Sequence, residues 1–198
     1  MSTSRSAKRT YHHGELPASL LRAAGKMLEK EGLAALSVRG AARRAGVSHN
    51  APYRHFPDRG SLLAALATEG FERFASALEE GQARAGLRGR GEAYIRFALE
   101  NPQRFRLMFG AEVPFDEHPG LREAATRAFS GLAGALTEHL AGVPSGDASI
   151  AAWALVHGLA NLMLHERIAS AMRGGRSDEE FARAVLGSVR FAAHPAGG

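Results

Sequence analysis

The chain contains no cysteine, which excludes disulfides and thiolate chemistry and makes a cytoplasmic home the simplest expectation. No Cys-x-x-Cys or His-Glu-x-x-His spacing occurs, and His157, His165 and Glu166 are too widely spaced for a helical metal motif, so no metal is expected. No phosphate-cradling loop of the Gly-x-Gly-x-x-Gly or Gly-x4-Gly-Lys kind is present, and no Gly-x-Ser-x-Gly elbow. The expectation is therefore no cofactor, no catalytic residue and no enzyme. No uninterrupted apolar run suits a bilayer, so no membrane partner is expected. The opening MSTSRSAKRTYHHG is polar and basic, without the apolar core of a secretory signal. Strand-like alternation between turn pairs is missing throughout, which points to an all-α protein.

What is present is an ordinary globular balance, 45% hydrophobic and 23% charged over 198 residues, enough to bury a sizeable core. The charge is unevenly placed. Residues 1–60 carry 11 Lys and Arg against 4 Asp and Glu, while residues 61–198 carry 14 against 16. All the excess positive charge lies in the first third. A solvated basic face would look the same by charge alone; an anion-binding head, for nucleic acid first and anionic lipid second, is the functional reading.

Residues 1–14 read as a flexible basic arm. Leu20, Leu21, Ala24, Met27 and Leu28 form one apolar stripe, predicting a helix over 16–31 that stops at Gly32. Ser37 is placed to cap a second helix over about 38–44, and Gly46 to turn the chain. Ser48 then opens a short third helix to about His55. Asp58 caps a fourth, over about 59–85, and GLRGRG (86–91) breaks it as a hinge. Further helices are predicted over 92–100, from Asn101-Pro102 onward, over 121–140 with a stop at 142–144, over 149–172, and from a Ser177 cap to about Phe191.

Two short helices about a glycine turn, packed on a longer first helix, describe a helix-turn-helix. The second must offer polar side chains outward. Ser48, His49, Asn50, Tyr53, Arg54 and His55 are all charged or hydrogen-bonding, with small Ala51 among them. Asn50 suits bidentate reading of adenine, and the Ala51 methyl suits contact with thymine. Ser37 marks a helix N-terminus that favours an anion, with Arg39, Arg43 and Arg44 nearby. Arg59 sits in a first helical turn, where the dipole disfavours a cation unless a phosphate is also held there.

The segment LSVRGAARRAGVSHNAPYRHFPDRGSLLAALATEGF resembles the DNA-binding signature of the TetR (tetracycline repressor) family. Ala42, Gly46, Val47, Ser48, Tyr53, His55, Phe56 and Leu62 match at fixed spacing. Arg59 stands where that family usually has lysine, and Pro52 is an unusual member of the short recognition helix. The resemblance implies that Ser37, Arg39 and Arg44 bind DNA backbone, that Ser48, His49, Asn50 and Ala51 face bases, and that Tyr53, His55 and Arg59 hold phosphates. Arg5, Lys8 and Arg9 of the arm are expected to add minor-groove or phosphate contacts.

Beyond residue 75, NPQRFRLMFG and a Trp153-x-x-x-His157-Gly158 pattern resemble one branch of the family's C-terminal domains. This implies three parts: the arm 1–14, a DNA-binding domain 15–60, and a helical effector and dimerisation domain 61–198. It also implies a ligand-responsive homodimeric repressor on a palindromic double-stranded operator, released by a small apolar or aromatic effector. Phe97, Leu107, Met108, Phe129, Trp153, His157 and Asn161 are the candidate ligand-binding residues, with Phe109 beside them. For each alone, core packing is the commoner role. An architectural DNA-binding protein would share the head and lack an inducible pocket.

Overall fold

A computed structural model of the chain describes residues 16–48, 50–140 and 146–191. Among the described residues there are helices and no strand. The chain forms two compact units, Met1–Leu66 and Ala67–Gly198.

In the first unit, α1 (Leu16–Glu31) buries Leu20, Ala24, Met27 and Leu28 of the stripe read from the sequence, together with Ala23, while Leu21 is half-buried. Gly32, at φ 78°, ends it and donates its N–H to the Leu28 carbonyl at 3.0 Å. A 3-10 turn over Leu33–Ala35 leads to Ser37, whose Oγ accepts from the Gly40 N–H at 3.0 Å and caps α2 (Val38–Ala45). Val38, Ala41 and Ala42 face inward. Gly46 takes the left-handed conformation, φ 70°. Its N–H and that of Val47 close on the Arg43 and Ala42 carbonyls, the double bond of a Schellman stop.

The expected third helix, Ser48 to His55, is shorter than the spacing predicts. It is a 3-10 turn over Ala51–Arg54, with no side-chain cap. Pro52 lacks an N–H and lies at the start of the turn, where a regular α-helix gains least from it. The turn is anchored from below: Pro52 and Phe56 are buried, and the His55 and Phe56 N–H groups both donate to the Pro52 carbonyl at 2.9 Å. Asp58 caps α3 (Arg59–Glu100) as expected, its Oδ1 accepting from the Ser61 N–H at 2.7 Å.

The second unit holds the rest of α3, then α4 (Pro102–Phe109), α5 (Pro119–His139), α6 (Gly146–Leu164), α7 (Ser170–Arg173) and α8 (Asp178–Gly187). The 86–91 hinge is narrower than its composition suggests. Only Ala85 (φ −149°) and Gly86 (φ 59°) leave helical geometry, and GLRGRG is otherwise helical. Either side of this kink, the two arms of α3 fold back on each other. A Cβ on Gly81 would lie 2.4 Å from the Gly89 carbonyl oxygen, and one on Gly89 would lie 2.2 Å from that of Gly81. Further from the kink, Phe74 meets Tyr94 and Phe97 edge-on at centroid distances of 4.8 and 5.1 Å. Glycine at the tip lets the backbones touch, and aromatic rings fill the space as the arms splay.

The expected 149–172 helix ends early, at Leu164. Glu166 adopts φ 51° and performs the glycine's part in a second Schellman stop, with its own N–H on the Met163 carbonyl and that of Arg167 on Leu162. A glutamate gives no sequence signal for such a stop. The last helix ends at Gly187 rather than Phe191, but its start is as read: Ser177 and Glu180 form a reciprocal capping box. The stop expected at 142–144 lies outside the described residues.

Among the described residues α6 is long and apolar enough to cross a membrane by length and composition, with mean hydropathy 1.2. It buries Ala152, Val156, Leu159, Ala160 and Met163 within its own unit, and leaves Ile150 (57%) and Leu162 (48%) exposed. A helix that is apolar on several sides needs cover on more than one.

Candidate functional site

The polar side chains after Gly46 stand on the outside of the first unit. Ser48, Asn50 and His55 are exposed, Tyr53 is 38% exposed, and Ala51 is half-buried. They are turned outward because Pro52 and Phe56 hold the opposite face of the turn inside. His49 lies outside the described residues, as do Arg5, Lys8 and Arg9. Ser37, Arg39, Arg43 and Arg44 are exposed on and beside α2. The Ser37 hydroxyl accepts from Gly40, so its own proton is left for another acceptor.

Two of the cations have partners inside the head. Arg44 pairs with Glu31 of α1. Arg59 donates from Nε to the Leu36 carbonyl at 3.0 Å and from Nη2 to the Leu33 carbonyl at 2.8 Å. This is a second resolution of the misplaced-cation puzzle: the guanidinium serves the carbonyls of the turn that feeds α2. Sequence spacing offered no hint of it, because the partners lie 23 and 26 residues away.

The second unit contains a cavity of about 770 Å³, within the usual range for small-molecule pockets. Of the candidate ligand residues, Met108, Phe129 and Trp153 line it, and so does Phe109. Phe129 and Trp153 meet edge-on at 5.6 Å. Phe97 and Leu107 lie outside the lining and are core residues, 6% and 2% exposed. His157 and Asn161 also lie outside it. The Asn161 amide nitrogen donates to the His157 carbonyl one turn back, at 2.9 Å. His157 stacks on Phe105 at 5.5 Å.

Tyr94 joins wall to core. Its hydroxyl accepts from Trp153 Nε1 at 3.2 Å, since an indole can only donate. His157 Nδ1 lies 2.9 Å from the same oxygen. Burial pushes the Tyr94 hydroxyl's pKa upward, so the phenol stays protonated. Tyr94, Arg90, Phe71 and Phe74 of α3 are lining residues that sequence reasoning missed. The 3.6-residue period marks them as inward-facing but does not separate a cavity wall from a solid core.

Burial lowers the His157 pKa below its ordinary 6.5. The unfolded chain therefore binds the proton more tightly than the folded one. The resulting stability is present above pH 6.5 and is lost as pH falls toward and below the folded value. Melting temperature is expected to drop on acidification from pH 7 to about 5, and His157→Gln to flatten that drop. An unchanged profile in the variant would remove His157 as the cause.

Comparison with known proteins agrees with these two units. Residues 20–66 match the bacterial regulatory proteins of the tetR family, and residues 87–187 match the tetracyclin repressor-like C-terminal domain. An HTH-type transcriptional regulator of Mycobacterium tuberculosis is 27% identical over 154 residues. That match takes in 73% of this chain and 64% of the relative, so the chain spans under two thirds of the length of the curated relatives it matches. A solved protein of unknown function from Rhodococcus sp. RHA1 is 33% identical, with TM-score 0.76, covering 91% of this chain and 96% of that one. The TetR family transcriptional regulator PfmR from Thermus thermophilus shares the fold at 23% identity and TM-score 0.59, over 85% of this chain and 94% of its own. The chain belongs to the TetR family of regulatory proteins, a family of regulators rather than enzymes, and carries both its N-terminal and its C-terminal parts.

Proposed function

We propose that the protein is a cytoplasmic, homodimeric repressor that binds a palindromic operator and is released by a small effector with an apolar or aromatic body. The observation that carries the DNA reading is the outward row Ser48, Asn50, Tyr53 and His55, held over the buried Pro52 and Phe56. In this reading Ser48, His49, Asn50 and Ala51 meet base edges. Ser37, Arg39, Arg44, Tyr53, His55 and Arg59 grip the backbone around them.

The exposed Ile150 and Leu162 of α6 support the dimer, because a second copy supplies the missing cover. Light scattering is expected to give a dimer at micromolar concentration, and a strict monomer would contradict it. The cavity supports the effector. An effector can shift DNA affinity only as far as it prefers one dimer form over the other. The α3 chain belongs to both units and is the covalent route between them.

The test is anisotropy of a labelled duplex across a salt series. Tyr53→Ala is expected to weaken binding to all duplexes and to leave the salt slope nearly unchanged, because a neutral hydroxyl releases no counterion from a phosphate. Asn50→Ala is expected to relax preference at particular bases by about 1–3 kcal/mol. Unchanged affinity and selectivity in both variants would refute the interface.

A further inference from the structure

We infer that the cavity takes an amphipathic acid, an apolar body ending in a carboxylate or similar anion, and that Arg90 of α3 is the residue that binds the charge. This rests on the effector reading of the cavity and narrows it. Among the described lining residues there are Arg88, Arg90, Arg190 and His139, and no aspartate or glutamate. The rest of the wall is largely aromatic and aliphatic, with Phe74, Tyr94, Phe109 and Trp153 among its rings.

The lining cations are not equivalent. Arg88 is exposed and pairs with Glu92 at 3.5 Å. Arg190 is exposed and donates to the Gly187 and Val189 carbonyls at 2.8 and 3.2 Å. Arg90 is 5% exposed, and its Nε is buried with no hydrogen-bond partner. The fold makes room for its head. Gly131 of α5 lies beside it, and a Cβ there would come within 2.4 Å of Nη2.

Arg90 is held against its own solvation. Burial lowers its pKa, and the attraction of Glu79 offsets that only in part. A guanidinium nonetheless stays charged at neutral pH. A buried charge with an open donor is costly unless something completes it. A wholly neutral apolar ligand would leave that donor open and bury it further. A cation would meet four basic groups. An anion pairs with Arg90 in a low-dielectric setting, where charge-assisted hydrogen bonds are strongest.

The test compares matched probes that differ only in the head group: decanoate with decan-1-ol, and 2-naphthoate with 2-naphthylmethanol. The two pairs distinguish an alkyl from an aryl body. Calorimetric titration of the full chain is expected to favour at least one acid over its alcohol by about tenfold. Arg90→Gln is expected to remove that preference and leave alcohol binding within about threefold. Gly131→Ala, which crowds the guanidinium without removing it, is expected to weaken the acid selectively as well. Without ligand, Arg90→Gln is expected to melt no lower than the parent, because an uncompensated charge has been removed. Equal binding of acid and alcohol, or an acid preference that survives both variants, overturns the inference and leaves the effector cavity standing. So does an Arg90→Gln protein that melts well below the parent, which would assign Arg90 to packing. Failure of all four probes to bind overturns both readings.

Discussion

Gly89→Val is expected to destabilise the second unit by about 3 kcal/mol, the upper part of the range for overpacking. In melting temperature this is a fall on the order of 10 °C. The reason is geometric. The new Cβ would sit 2.2 Å from the Gly81 carbonyl oxygen and 2.9 Å from the Ala85 Cβ. The oxygen is backbone, so no rotamer change relieves the clash. The arms of α3 must separate at the tip, which pulls Phe74 from Tyr94 and Phe97 and opens the aromatic packing beside the cavity. Gly134→Ala in α5 is the control. Nothing lies within 4 Å of its Cβ, and alanine there is expected to stabilise the helix by about 0.5–1 kcal/mol. Thermal unfolding followed by circular dichroism reads both. A Gly89→Val protein that melts with the parent would mean the two arms do not touch.

Arg59 carries the second large expectation, because two roles meet in one side chain. Its two carbonyl bonds brace the turn between α1 and α2, the turn that presents Ser37. At this exposed site each is worth about 1 kcal/mol. Arg59→Ala is therefore expected to lower stability by about 2 kcal/mol and to weaken binding to every duplex. Three of the five guanidinium donors remain for a phosphate. Arg59→Lys separates the roles. An ammonium keeps the charge but lacks the planar fork that reaches both carbonyls. Lysine is expected to retain the salt slope of DNA binding and to lose part of the stability, whereas alanine loses both. If lysine and alanine fall equally in DNA affinity at a temperature where both are folded, the side chain is a brace and not a phosphate ligand.

Much of the head was legible in the sequence because its signals are local. A stripe in α1, Ser37 before α2, Gly46 after it and Asp58 before α3 each act within four residues, and each does in space what its chemistry suggests. The short helix after Gly46 takes a tighter form than its spacing predicts. Polar spacing fits a 3-10 turn as well as an α-helix over so few residues, and Pro52 favours the tighter one. In the second unit the signals are long-range. The composition of GLRGRG announced a break, yet only Gly86 turns the chain, while Gly89 serves a contact eight residues away. The stop at Glu166 carried no glycine to announce it. Aromatic residues were picked out as cavity candidates, but whether a ring faces a void or a neighbour depends on tertiary distance. Phe97 faces Phe74, while Trp153 and Phe129 border the cavity. Arg90 was legible only as part of a basic stretch, and its burial could not be read from its neighbours in sequence.

Selection of bound duplexes from a random pool by the purified chain in dilute salt bears most directly on the outward row after Gly46. The expected product is a two-fold symmetric motif whose half-sites lie about 34–36 Å apart, one helical turn, as two copies in successive major grooves require. Asn50→Ala should blur the motif at defined positions. Recovery of no enriched motif, or failure of the chain to hold any duplex even in dilute salt, would contradict the assignment of those side chains to DNA.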